Sequence, residues 1–125
     1  MVMTTEKTLY ERLGGYDAIS AVVHNLLARL MADSRLGRFW ENRGVDGIAR
    51  EKQLLIDYLC ANAGGPVMYT GRDNLTSHRG MGIDEDDWTA FIMHLKDTLQ
   101  HFQVPEDLNN EVLGFIESTK SDIVE

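Results

Sequence analysis

Apolar side chains recur at intervals of three and four from residue 17 onward. Ile19, Val22, Val23, Leu26, Leu27 and Leu30 make one face, and the spacing predicts a helix with Asp17 as its N-cap. His24 and Arg29 lie off that face, so His24 reads as a solvated residue. Ahead of it, Leu9, Tyr10 and Leu13 predict a short helix over Thr8 to Leu13, stopped by Gly14-Gly15. Beyond it, Ser34 to Trp40 predicts a short third helix, capped by Asp33 or Ser34 and carrying Leu36, Phe39 and Trp40. The stretch ENRGVDG reads as a loop. Ile48 to Ala63 then predicts a fourth helix, with Leu55 and Leu59 on one stripe and Leu54 and Tyr58 beside it. Gly64-Gly65-Pro66 ends it, because glycine takes the left-handed C-terminal conformation and proline cannot continue a helix.

Later in the chain Asp84 caps a strong helix, whose Glu85, Asp86 and Asp87 favour its positive end. Trp88, Phe91, Ile92, Leu95, Leu99 and Phe102 make its buried face. Pro105 opens a last helix, where Leu108, Val112, Phe115 and Ile116 repeat the pattern to about Lys120. No strand signal, internal repeat or low-complexity tract interrupts this, so the class is all-α. Six amphipathic segments are too few for a closed bundle, and something else must fill the middle. The connecting stretch from Gly64 to Ile83 is where that group should be sought.

A chain of 125 residues with 43% hydrophobic content is long enough for one core, so residues 1–125 are expected to form a single domain, with 1–7 as a flexible tail. A formal net charge of -8 argues against nucleic acid or an anionic membrane surface as partner. No apolar run approaches the roughly 20 residues needed to span a bilayer. The N-terminal stretch lacks the features of a signal peptide, which makes a cytoplasmic location the expectation. Cys60 is the sole cysteine, so neither an internal disulfide nor a thiol-only metal site can form.

Chemistry must then rest on the four histidines. His94 and His101 share one helix face seven residues apart, with Asp97 between them; this could hold a surface metal or be an ordinary polar face. His78 differs in its flanks. Leu75 precedes it, Met81 and Ile83 follow, and glycines at 71, 80 and 82 let the backbone turn closely around a bulky group. Locally this pattern fits either a ligand or a structural histidine.

The ordered set Leu9-Tyr10-Glu11-Arg12-Leu13-Gly14-Gly15, Phe39-Trp40, Gly64-Gly65-Pro66, Tyr69-Thr70-Gly71-Arg72-Asp73, His78 and Gly82-Ile83 resembles the group I truncated haemoglobins, over roughly Thr8 to Lys120. The resemblance implies a two-over-two helical sandwich around haem b. It implies that His78 is the proximal ligand of the iron, its second ring nitrogen oriented by a neighbouring carbonyl or hydroxyl, for which Ser77 is the nearby candidate. Gly14-Gly15 and Gly64-Gly65 match the family's helix-ending pairs. Trp40 falls at the aromatic position against the porphyrin face, and Phe39 beside it is an equal candidate. Leu54, Leu55, Leu75, Met81, Ile83 and Phe91 complete the expected haem-binding wall. Tyr69, Arg72, Arg79 and Lys52 are candidates for propionate contacts, or plain solvated side chains.

On the opposite, distal side, studied family members place a tyrosine in the second helix and a glutamine in the fourth. Here the register implies Leu27 and Leu55 at those places, with Leu54 and Glu51 nearby. Alternative donors are Tyr58, Gln53 and the Trp40 indole, and Glu51 or Lys52 could in principle ligate iron. A leucine-lined pocket lacks the hydrogen bond that holds oxygen, which implies fast oxygen release and easy oxidation. The implied function is binding of oxygen, NO or CO, serving oxygen carriage or NO detoxification. An enzymatic role is left open: NO dioxygenation needs oxygen to persist, and peroxidase-like activity of the ferric form finds no distal acid–base histidine. The alternatives are a haem-based sensor or redox protein acting through a separate partner, such as an electron-donating reductase, and a helical interaction domain without haem.

Overall fold

The computed structural model describes residues 7–125; the expected tail at 1–7 lies outside them except for Lys7. Among the described residues are seven α-helices, one 3-10 helix and no strand. Helix α1 (Leu9–Leu13) opens on a capping box: Thr8 Oγ1 accepts from the Glu11 N–H at 3.1 Å, and the Glu11 carboxylate reaches back to Thr8. Gly14 ends α1, and α2 (Gly15–Ala32) follows at once. Helix α2 therefore starts two residues before Asp17, which sits in its first turn and not at its cap.

After α2 the expected third helix is shorter than its sequence suggests. Asp33 Oδ1 accepts the N–H groups of Arg35 (2.7 Å) and Leu36 (3.0 Å), and only Gly37–Trp40 is helical, as a 3-10 turn. A side chain that bonds the following amides offers the backbone an alternative to the α-helix. Helix α3 (Gly44–Asn62) begins four residues earlier than Ile48, inside the expected loop, with an Arg43–Glu51 ion pair along its first two turns. The turn after α3 packs on α1. Tyr10 N–H donates to the Ala63 carbonyl at 2.8 Å, and a Cβ on Gly65 would lie 2.4 Å from the Tyr10 ring, so only glycine lets the chain approach this closely.

Helix α4 (Asn74–His78) is one turn, capped by the Asp73 carboxylate accepting from Thr76 N–H at 2.7 Å. Helix α5 (Glu85–His101) starts on a second capping box, Asp84 with Asp87, and α6 (Glu106–Glu117) follows Pro105. A further turn, α7 (Lys120–Ile123), lies beyond the last helix read from sequence.

Two apolar clusters hold these elements. Leu26 and Leu30 of α2, Leu36, Trp88, Ile92, Leu95 and Leu99 of α5, and Ile116 of α6 form one. Ile19 and Val23 of α2 with Ile56 and Cys60 of α3 form the other, in which Val23 and Cys60 are fully buried. Each such leucine or isoleucine contributes about 1.5–3 kcal/mol by leaving water. Helix α2 belongs to both clusters, so the α2–α3 and α5–α6 pairs are joined through it. A polar clasp reinforces the join: buried Asp87 accepts from Arg35 Nε and Arg38 Nη2, both at 2.8 Å, tying the 3-10 turn to the start of α5. Helix α4 packs chiefly on α7. There Glu125 N–H donates to the Ile83 carbonyl at 2.8 Å, and Gly82 N–H to Glu125 Oε1 at 3.2 Å.

Candidate haem site

His78 closes α4 and is half-buried. One helical turn brings the carbonyl of residue 74 beside the ring of residue 78. Nδ1 lies 2.8 Å from the Asn74 carbonyl oxygen and 3.0 Å from Ser77 Oγ. A carbonyl only accepts, so Nδ1 carries the ring proton; the Ser77 hydroxyl donates to the same carbonyl at 3.3 Å. In the neutral ring this leaves the lone pair on Nε2, and among the described residues nothing hydrogen-bonds to that nitrogen. A neutral imidazole with its far nitrogen held by a carbonyl is the donor that haem iron takes. The expected Ser77 contact is present, but the shorter one is the Asn74 carbonyl, which no side-chain signal in the sequence could mark.

Asn74 is held in turn. Its Nδ2 donates to the Tyr58 hydroxyl at 2.8 Å, a bond from α4 across to α3. The Tyr58 ring meets Tyr69 edge-on at 5.3 Å and Phe115 of α6 at 6.0 Å. Tyr69 donates its hydroxyl proton to the Arg72 carbonyl at 2.6 Å, and burial, with Tyr58 and Asp73 nearby, pushes its phenol up from the ordinary range.

The apolar residues expected to wall the haem divide into two groups. Phe39, Trp40 and Phe91 pack on the first cluster, and Leu55 on the second, all half-buried. Leu54, Met81 and Ile83 are half-buried yet join neither cluster, and Leu75 is 47% exposed. Leu75, Met81 and Ile83 flank in sequence an imidazole whose Nε2 has no partner among the described residues, and partly covered apolar side chains beside such a donor suit a flat apolar group carrying a metal, so the residues present fit haem. Arg72 and Arg79 stand exposed on either side of α4.

Leu27 is 6% exposed on the buried face of α2, where it offers no donor. Other distal candidates are committed elsewhere. Glu51 pairs with Arg43, Lys52 Nζ lies 3.1 Å from His24 Nδ1, and Gln53 Nε2 donates to the Tyr16 hydroxyl (2.8 Å) and to Asp57 (3.0 Å). The Tyr58 hydroxyl accepts from Asn74 and retains its own proton to donate. His94 and His101 do not act together: His94 Nε2 lies 2.6 Å from Asp33 Oδ2, while His101 stands edge-on to Phe102. The His94 hydrogen bond, with the Leu36 and Arg35 amides, lowers the Asp33 carboxyl to about 2. No group of three metal-binding side chains occurs among the described residues.

Known proteins resemble the chain in sequence and in fold. The bacterial-like globin family matches residues 8–125. The group 1 truncated hemoglobin of Tetrahymena pyriformis is 31% identical over 122 residues, covering 98% of both chains. That of Mycolicibacterium paratuberculosis is 33% identical over 109 residues, 87% of this chain and 78% of the relative. The crystal structure of the Tetrahymena pyriformis protein in its Fe(III) form superposes with a TM-score of 0.85 at 31% identity, over 94% of this chain and 98% of that one. The 2/2 hemoglobin of Synechococcus, in the cyanomet state with covalently attached heme, gives a TM-score of 0.86 at 28% identity and the same coverage. By its sequence and by its two-over-two helical fold, the chain belongs to the bacterial-like globins, among the group 1 truncated haemoglobins.

Proposed function

We propose that His78 Nε2 is the proximal ligand of haem iron in this protein and that the bound haem takes oxygen, NO or CO on its other face. Haem is the cofactor of the family to which the chain belongs, and gas binding at its iron is the family's chemistry. The observation that carries the residue assignment is the His78 ring itself, with Nδ1 donating to the Asn74 carbonyl and Nε2 free. When bound, haem supplies the metal at which a diatomic gas coordinates. The rest falls to the chain. Leu54, Met81, Ile83 and Leu75 would cover the macrocycle, Phe39, Trp40 and Phe91 would border it, and Tyr69, Arg72 or Arg79 would meet its carboxylates. Leu27 and Leu55 would keep the gas side apolar.

Oxygen carriage fits a leucine-lined pocket better than NO dioxygenation, which needs oxygen to stay until NO arrives. Return of oxidised iron to the ferrous state would then depend on an electron-donating reductase. The test is spectroscopic. Haem-loaded protein should show an intense Soret band and form a CO adduct after reduction, and His78→Ala should retain haem poorly or not at all. A haem-replete preparation that stays colourless, or a His78→Ala variant with unaltered ferrous and CO spectra, would sink the assignment.

A further inference from the structure

We infer that Tyr58, on the helix facing α4, is a positioning residue for the proximal imidazole, acting through Asn74. This rests on His78 being the iron ligand. The chain of contacts runs from Tyr58 Oη to Asn74 Nδ2 at 2.8 Å, and from the Asn74 carbonyl to His78 Nδ1 at 2.8 Å. Among the described residues the first of these is the one hydrogen bond between α3 and α4.

Its place gives it leverage. Asn74 is the first residue of α4, a helix of a single turn, and the same residue supplies both the side chain that Tyr58 grips and the carbonyl that the ring addresses. Helix α4 packs chiefly on α7, and the Tyr58 bond ties it to α3 as well. The length of the Nδ1–H···O bond decides how much negative charge the ring presents to a metal through Nε2, because a firmer acceptor makes the ligand more basic. Tyr58 is itself held by more than this bond, with Tyr69 edge-on at 5.3 Å and Phe115 at 6.0 Å. A shift of α3 on the gas side would therefore reach the ligand on the other side through two hydrogen bonds.

The experiment uses haem-loaded protein and Tyr58→Phe, which keeps the ring contacts and removes only the acceptor oxygen. The readouts are the iron–imidazole stretching band of the ferrous form by resonance Raman and the Fe(III)/Fe(II) midpoint potential. With the hydrogen bond at Nδ1 loosened, the band should move to lower frequency and the potential should rise. Haem loss to a scavenging apoglobin should quicken about three- to tenfold, as the removal of one hydrogen bond implies. Asn74→Ala should give the same shifts, and the double variant no further shift. Gln53→Ala, on the same helix but turned towards Tyr16, should leave both unmoved. A Tyr58→Phe or Asn74→Ala protein with wild-type band and potential would overturn the link, even if haem were lost faster, since faster loss alone is what a packing role would give. The two failures are distinguishable: a wild-type protein without an iron–imidazole band overturns the ligation by His78 and this inference with it, whereas a wild-type band insensitive to Tyr58 overturns this inference alone.

Discussion

A buried leucine at position 27 cannot donate a hydrogen bond, and the resemblance places a tyrosine there in other family members. A donor to a ligand that draws partial negative charge contributes about 1.5–3 kcal/mol. At about 1.4 kcal/mol per decade, that is a factor of roughly ten to a hundred in release rate. Leu27→Tyr, read by stopped-flow on haem-loaded protein, is therefore expected to slow oxygen dissociation by that range while altering CO binding less. An unchanged oxygen rate would show that position 27 does not face the gas. At this scale the sequence is legible where a contact is made by a side chain, as between Ser77 and the His78 ring. It was silent on the Asn74 carbonyl, which every residue type carries. It was also silent on the Tyr58–Asn74 bond, because the two side chains are sixteen positions apart and meet only once the chain between them has folded.

Elements are fastened to one another most firmly at the start of α5. Asp87 is 1% exposed; burial alone would raise its carboxyl, but hydrogen bonds from Arg38, the Asp84 amide and Arg35 outweigh it and hold it at about 2, against an ordinary 3.8. A carboxyl depressed in the folded state stabilises the fold above its ordinary value and loses that contribution as pH falls from about 4 towards 2. Asp33, also at about 2, titrates in the same direction. Thermal melts should accordingly lose stability over this window, and Asp87→Asn should flatten part of the loss. Asp87→Ala at neutral pH should cost about 2–3 kcal/mol; this is below the value for a wholly buried pair, because half-exposed Arg35 and Arg38 can turn to water. The helices with unbroken apolar periodicity, α2 and α5, follow their sequence pattern closely, but Phe102, read as part of the buried face of α5, lies just past its end and is exposed. The start of α3 was not: Gly44-Val45-Asp46-Gly47 reads as a turn, and the Arg43–Glu51 pair that accompanies its helical first turns links residues eight apart. Helix α7 is a single turn, too short for any period to show, and it lies against α4.

Across the whole molecule, two clusters share α2, while α4 reaches the rest mainly through α7 and the Tyr58 bond. A group that binds only the folded chain stabilises it by mass action, about 2.7 kcal/mol at a hundredfold excess over Kd. Removing haem is thus expected to lower the melting temperature by several degrees, with equal values for both forms arguing that the macrocycle contributes little to the core. The all-α class could be read from the helical periodicity, and the two-over-two arrangement from the resemblance that the ordered glycine, aromatic and histidine landmarks carry. Cys60 adds a practical consequence. Its thiol has no exposure at all, sits between α2 and α3, and is pushed up from its ordinary range by that burial. As the chain's sole sulfhydryl it is a built-in clock for native-state breathing: an alkylating reagent can label it only while the two helices part, so the labelling rate, followed with and without haem, times that opening without any engineered tag.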